Sequence, residues 1–215
     1  MRLVGFWLAA GLLSGCAGAA AGKDARAEAV VARTKAPATD YSLFVWTEIN
    51  PDQSDIVDGW TAEFHSGSRH RVETPWDRVV ADCAAMTGRH LHLPTGKVRT
   101  GREVANSACG IDTNAVADVK YVGKMESGYG ELDIVSLTSA ADRTYWVDRD
   151  GILVRTEFTR VGQPEEWVLR NWAVHIDRTT PDAAMFADDS LSRSYVPEQY
   201  RVRTKPDHPL EFSAE

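Results

Sequence analysis

The sequence predicts a mainly β protein with a few helices, built around a curved antiparallel sheet. Three observations carry this. From Tyr41 onward, short runs rich in β-branched and aromatic residues recur, separated by Gly, Pro, Asn, Asp and Ser turn material. Helix-forming composition is confined to residues 23–35 and to part of the mixed segment 102–116. The aromatics Phe44, Trp46, Trp60, Phe64, Tyr145, Phe158, Trp167 and Trp172 all fall in strand-like runs. An ordinary sandwich core accounts for each one singly. Together they fit a strongly curved sheet whose concave face holds a lipid-like ligand.

At the N-terminus, Met1 and Arg2 precede "LVGFWLAAGLL". This apolar run is too short to span a hydrocarbon core, which needs about 20 residues. One basic residue followed by such a run has the form of an export signal. Leu13-Ser14-Gly15-Cys16 then resembles the lipobox of bacterial lipoproteins. The resemblance implies cleavage before Cys16 and acylation of that residue, with palmitate among the chains. Several acyl chains meet the requirement for stable anchoring. Ala17 in place of Asp implies, by the sorting rules of such lipoproteins, the outer membrane facing the periplasm.

The expected organisation is a signal peptide at 1–15, then a lipidated cysteine, tether and short helix at 16–39. A β domain at 40–187 and a C-terminal tail at 188–215 follow. In the helix, Ala29, Val30 and Ala32 are the candidates for an apolar face, and Pro37 ends it.

The first strand is "YSLFVWTEI", followed by the polar turn "NPDQSD". In "GWTAEFH", Trp60, Ala62 and Phe64 alternate with Thr61, Glu63 and His65, the period of a half-buried strand. "SGS" turns the chain into "RHRVET", Pro75 breaks that run, and "DRVVADC" follows. "RHLHL" and "GKVRTG" flank the turn at 94–96. Short turns between these runs predict an antiparallel meander. After 102–116 the strands resume as "KYVGKM", "ELDIVSLT", "RTYWVD", "ILVRTEFTRV" and "EWVLRNWAVHID". Asp150-Gly151 between alternating runs is a strong hairpin signal. Beyond Pro181 comes the cluster "AAMF", and periodicity is then lost.

With Cys16 acylated, Cys83 and Cys109 remain of the 3 cysteines. In an oxidising compartment such a leftover pair is expected to form a disulfide. A thiol or metal site is the alternative, without a C-x-x-C to support it. The net charge of −7 and the scattered Lys and Arg residues give no electrostatic footprint for nucleic acid.

Few residues point to chemistry. His90 and His92 share a face if their segment is a strand, which makes a possible metal pair. No third ligand is assignable, and histidines on an exposed sheet face are commoner, so no metal is expected. "DRDG" at 148–151 lacks the oxygen ligands of a calcium loop. There is no G-x-S-x-G elbow, and Gly128 and Gly130 fit a turn better than a phosphate cradle. No catalytic residue and no cofactor is assigned, and the chain is not expected to be an enzyme.

Between Leu43 and Gly101, the order of strand, loop, "GWTAEFHSGSRHRVETPWDRVVADC" and two short strands is similar to the bacterial lipoprotein-localisation (LolA/LolB) family. Gly59-Trp60, Phe64, the strand at 69–73, Pro75 and the strand at 79–82 take the places of that family's motifs. Cys83 stands where the family has Gly. "TYWVDRDGILVRTEFT" and "PDAAMF" resemble its later strand-turn-strand and closing segment. The resemblance implies an open half-barrel around helices, with an apolar cavity for acyl chains.

Its expected lining here is Phe44, Trp46, Trp60, Phe64, Tyr145, Phe158 and Trp172, and its expected occupant is a lipid or acylated protein. The protruding apolar loop of the family's outer-membrane receptor member is not assignable in this chain, since "NPDQSD" at the matching place is polar. Two other readings stay open: an envelope protein-contact or stress-sensing module without ligand, and, behind it, a hydrolase.

Overall fold

The structure is a computed structural model that describes residues 24–50, 59–114, 116, 118–139, 141–160 and 168–201. Cys16, the signal segment, the bulk of the "NPDQSD" turn, Trp167 and the chain past 201 lie outside the described residues.

Helix α1 (Ala25–Lys35) starts at Asp24, whose Oδ1 accepts the N–H groups of Arg26 and Ala27 at 3.1 Å each, an N-cap. Its buried residues are Ala27, Val30, Val31 and Thr34, the i, i+3, i+4, i+7 stripe of an amphipathic helix. Of the expected apolar face only Val30 is buried; Ala29 and Ala32 point to solvent. The stripe counted from the cap passes between those two alanines.

Strands β1 (Tyr41–Ile49), β2 (Gly59–Ser66), β3 (Arg69–Glu73), β4 (Asp77–Asp82), β5 (Thr87–His92) and β6 (Lys97–Thr100) form one meander. Helix α2 (Arg102–Ala108) follows it. A second meander comprises β7 (Asp118–Ser127), β8 (Gly130–Thr138), β9 (Ala141–Val147), β10 (Leu153–Arg160) and β11 (Val168–Asp177). The two are zipped into a single antiparallel sheet of order β6-β5-β4-β3-β2-β1-β11-β10-β9-β8-β7. It is not closed into a barrel: among the described residues, β6 and β7 are its edges.

Pairing decides which residues share a face, because directly opposed side chains point the same way. Thr47 opposes Asn171, Asn171 opposes Thr156, and Thr156 opposes Tyr145. Leu43 opposes Glu63, Glu63 opposes Val72, and Val72 opposes Val79. Thr47 and Leu43 are four apart on β1, so all of these lie on one face.

Both helices pack there. In α1, Ala27, Val30 and Val31 meet Val135, Leu137, Tyr145 and Val147. In α2, Ala105 and Ala108 meet Ala81, with Val72 and Val79 alongside. The Cys83–Cys109 disulfide ties the end of α2 to the end of β4.

Two glycines let the C-terminus of α1 lie close against the segment after α2 and the turn between β9 and β10. Gly110 and Gly151 have φ of +72° and +92°, and a Cβ on them would lie 2.4 Å from Thr34 O and 2.3 Å from Arg33 O. Only glycine fits.

The opposite face carries a C-terminal strap of three short 3₁₀ turns, Ala183–Phe186, Asp188–Ser192 and Glu198–Tyr200. Phe186 and Val196 of the strap pack on Phe44, Ala62 and Phe64.

Candidate ligand cavity

On the helix face, a cavity of about 930 Å³ opens between α2 and strands β3 to β6. That is the size of a small-molecule site. Val72, Val79 and Val104 supply apolar wall, while Asp77, His90, His92, Lys97, Arg99 and Glu103 supply charge and hydrogen-bonding groups. Strand register sets these in place. Asp77 opposes His92, Val79 opposes His90, His90 opposes Arg99, and His92 opposes Lys97. The two-residue period then sends all six toward α2.

The polar residues form a chain. Asp77 Oδ1 accepts from His90 Nε2 at 2.6 Å and from His92 Nδ1 at 2.9 Å. Arg99 Nε donates to His90 Nδ1 at 3.2 Å. A guanidinium has no acceptor, so His90 Nδ1 carries the lone pair and its proton sits on Nε2, toward Asp77. Burial raises the Asp77 carboxyl, but the hydrogen bonds from His90 and His92 outweigh it and hold the group below its ordinary value. The histidine pair visible in the sequence thus gains the carboxylate partner that spacing alone could not assign.

A second titratable cluster lies on the same face nearer the middle of the sheet. Tyr41 Oη donates to Glu63 Oε2 at 3.4 Å, and His70 Nε2 is 3.7 Å from that oxygen. His70 Nδ1 meets His65 Nδ1 at 3.5 Å. Burial pushes Glu63 up to about 7, against the Tyr41 hydrogen bond. Burial, with the His65 charge behind it, drives His70 down to about 3.

The aromatic residues do not converge on one cavity. Trp60, Trp46 and Trp172 form a row across β2, β1 and β11, on the strap face, because the register sets them opposite one another. Trp46 and Trp172 meet edge-on at 5.5 Å, and both indole N–H groups are buried with no hydrogen-bond partner among the described residues. Phe44 and Phe64 continue this face, edge to face at 6.0 Å, and Tyr200 of the strap stacks on Phe44 at 4.1 Å.

Tyr145 and Phe158 lie on the helix face, 6.1 Å apart, with Tyr145 packed under α1. Alternation alone does not say which face a strand's aromatics take; pairing does. Asp77, Lys97, Arg99 and the valine walls were missed for the same reason.

No protein-family model matches the chain, and no curated protein matches it. Solved structures do. An uncharacterised conserved protein of Thermus thermophilus superposes with a TM-score of 0.50 at 13% identity, over 82% of this chain and 97% of that one. A LolA superfamily protein of Nitrosomonas europaea gives 0.39 at 9% identity, over 77% and 99%. The Mycobacterium tuberculosis lipoprotein LppX gives 0.37 at 12% identity, over 74% and 99%. The likeness is one of fold. Among the described residues, a single open antiparallel sheet with two helices on one face agrees with the mainly β, open-sheet fold class expected from the sequence.

Proposed function

We propose that this chain is a lipoprotein of the bacterial outer membrane, anchored through acyl chains on Cys16 and facing the periplasm. In this reading it binds a lipid, an acylated protein or another apolar molecule. The cavity of about 930 Å³ against α2 carries the proposal. It pairs a valine wall for an apolar body with a rim of Lys97, Arg99, His90 and His92 for a polar end. The Cys83–Cys109 disulfide suits an oxidising compartment. The aromatic row Phe44, Trp46, Trp60, Phe64 and Trp172 is the second place to look for an apolar ligand, and its tryptophans would report binding there.

The test is displacement of a fluorescent fatty acid by fatty acids of rising chain length, by lysolipids and by acylated peptides. Each added methylene removed from water should contribute about 0.8 kcal/mol until the cavity is full. Val79→Glu, in the cavity wall, should weaken binding more than tenfold, about 1.4 kcal/mol. Val98→Glu should leave it unchanged, since Val98 is half-exposed on β6 and points away from the cavity. A flat response across every ligand class would overturn the reading and favour a protein-contact module.

A further inference from the structure

The cavity wall holds a donor set that apolar binding does not use. Asp77, His90 and His92 bring one carboxylate oxygen and two imidazole nitrogens within 4.8 Å of one another. Two imidazoles and a carboxylate suit zinc-class divalent ions, and three protein ligands leave a coordination position open. We propose that these three side chains form a transition-metal site whose open position faces the cavity.

Rigid geometry supports the assignment. Two adjacent strands supply all three ligands, and alternate pairs of their ladder fix the spacing, Asp77 against His92 and Val79 against His90. Sites built on strands are held more firmly than sites on loops. Ligand atoms around a tetrahedral ion at about 2.0–2.1 Å stand roughly 3.3 Å apart. The 2.6 and 2.9 Å contacts therefore need to open by about 0.7 and 0.4 Å. Asp77 and His92 side chains are 37% and 39% exposed, which leaves room for that movement.

Without metal, two protons do the work of the cation. His90 Nε2–H and His92 Nδ1–H both point at Asp77 Oδ1. Metal binding takes the lone pair of each of these nitrogens, so the proton now on it must give way and the ring's N–H sits on its other nitrogen. On His92, no cation among the described residues is paired with the nitrogen that takes the new N–H. On His90 it would sit at Nδ1, where Arg99 now donates at 3.2 Å from Nε and 3.0 Å from Nη2. Two donors cannot share that contact. Arg99 must leave, and it can, being an exposed side chain on the edge strand β6. Arg99 is thus a built-in competitor of the metal, which separates a metal site from a merely structural polar network.

The test titrates untagged full-length chain with Zn²⁺ by calorimetry and with Co²⁺ by visible absorption, with no lipid present. Its outcome is therefore independent of the apolar-ligand reading. The expected result is one ion per chain, with Co²⁺ bands of four- or five-coordinate geometry. Arg99→Leu should tighten binding by about tenfold, whereas Asp77→Asn and His92→Ala should each weaken it by about 100-fold, the scale of a lost metal-site interaction. Circular dichroism on all variants controls for folding. Three results would each overturn the proposal: no binding by wild type or Arg99→Leu at millimolar metal, binding untouched by His92→Ala, or weaker binding in Arg99→Leu.

Discussion

Arg71 and Glu73, two residues apart on β3, form an ion pair at 2.8 Å in which neither side chain has any exposure. Arg71 spends its other donors on the strap, bonding the carbonyls of Met185, Ser190 and Arg193 and the Ser190 hydroxyl. Glu73 Oε1 accepts the Tyr195 N–H at 3.0 Å. The pair is the latch that holds the C-terminal strap to the sheet.

Removing one partner of a buried pair strands the other charge, at a cost of about 3–5 kcal/mol. Arg71→Met leaves Glu73 with Arg78, 3.5 Å from its Oε2, so it should lower urea-unfolding stability by up to that amount and expose residues 183–201 to protease. Arg71→Lys should recover less than half of the loss, because an ammonium cannot reproduce the planar fork. Wild-type protease resistance in Arg71→Met would refute the latch.

The Cys83–Cys109 bridge closes a loop with a sequence separation of 26. On the chain-entropy model this is worth about 3–4 kcal/mol. A Cys83→Ala/Cys109→Ala double variant should lose that stability, and dithiothreitol should then have no further effect. Thiol titration of denatured, unreduced protein should detect neither cysteine.

Glu63 and His70 make opposing contributions to pH-dependent stability. Glu63 is raised in the fold to about 7, so the native state holds its proton more tightly and loses stability as pH rises from about 4.5 toward 7. His70 is lowered to about 3. There the unfolded state binds the proton more tightly, and stability climbs from about pH 3 to 6.5. Between 4.5 and 6.5 the two slopes offset each other. Glu63→Gln removes one of them, so its stability relative to wild type should rise between pH 4.5 and 7. Parallel pH profiles for the two proteins would contradict the Glu63 assignment.

Metabolic labelling with a fatty-acid probe tests the anchor. Wild type should carry label and Cys16→Ser should carry none. Equal label in both would place the attachment elsewhere or nowhere.

The strands were legible because their alternation is local. The turn between β9 and β10 was legible for the same reason: Asp148 Oδ1 accepts the N–H of Asp150 and Ile152, and Gly151 takes a positive φ. The face of α1 was not, since Val31 and Thr34 are buried by partners far along the chain, among them Ile111, whose N–H bonds the Thr34 hydroxyl. In the site, His90 and His92 announced themselves by spacing. Asp77 did not, because its place opposite His92 depends on the length of the β4–β5 turn. The aromatics were visible as a set, but their division between two faces follows from the β1–β11 pairing, which no local pattern encodes.

That seam also orders the folding of the molecule. Every other ladder joins neighbours in sequence, whereas Thr47 and Asn171, hydrogen bonded at 2.7 Å, are 124 residues apart. Hairpins close quickly and distant contacts slowly, so the first meander should wait as a separate sheet with β1 as a raw edge. β1 is apolar on both faces, burying Leu43, Phe44, Val45 and Trp46, and such an edge invites pairing with a second chain. A nascent or exported chain is therefore sticky until its last strand arrives. A truncation ending before Val168 should precipitate on refolding at concentrations where the full chain stays clear; a monomeric truncation would show that the seam has no such role.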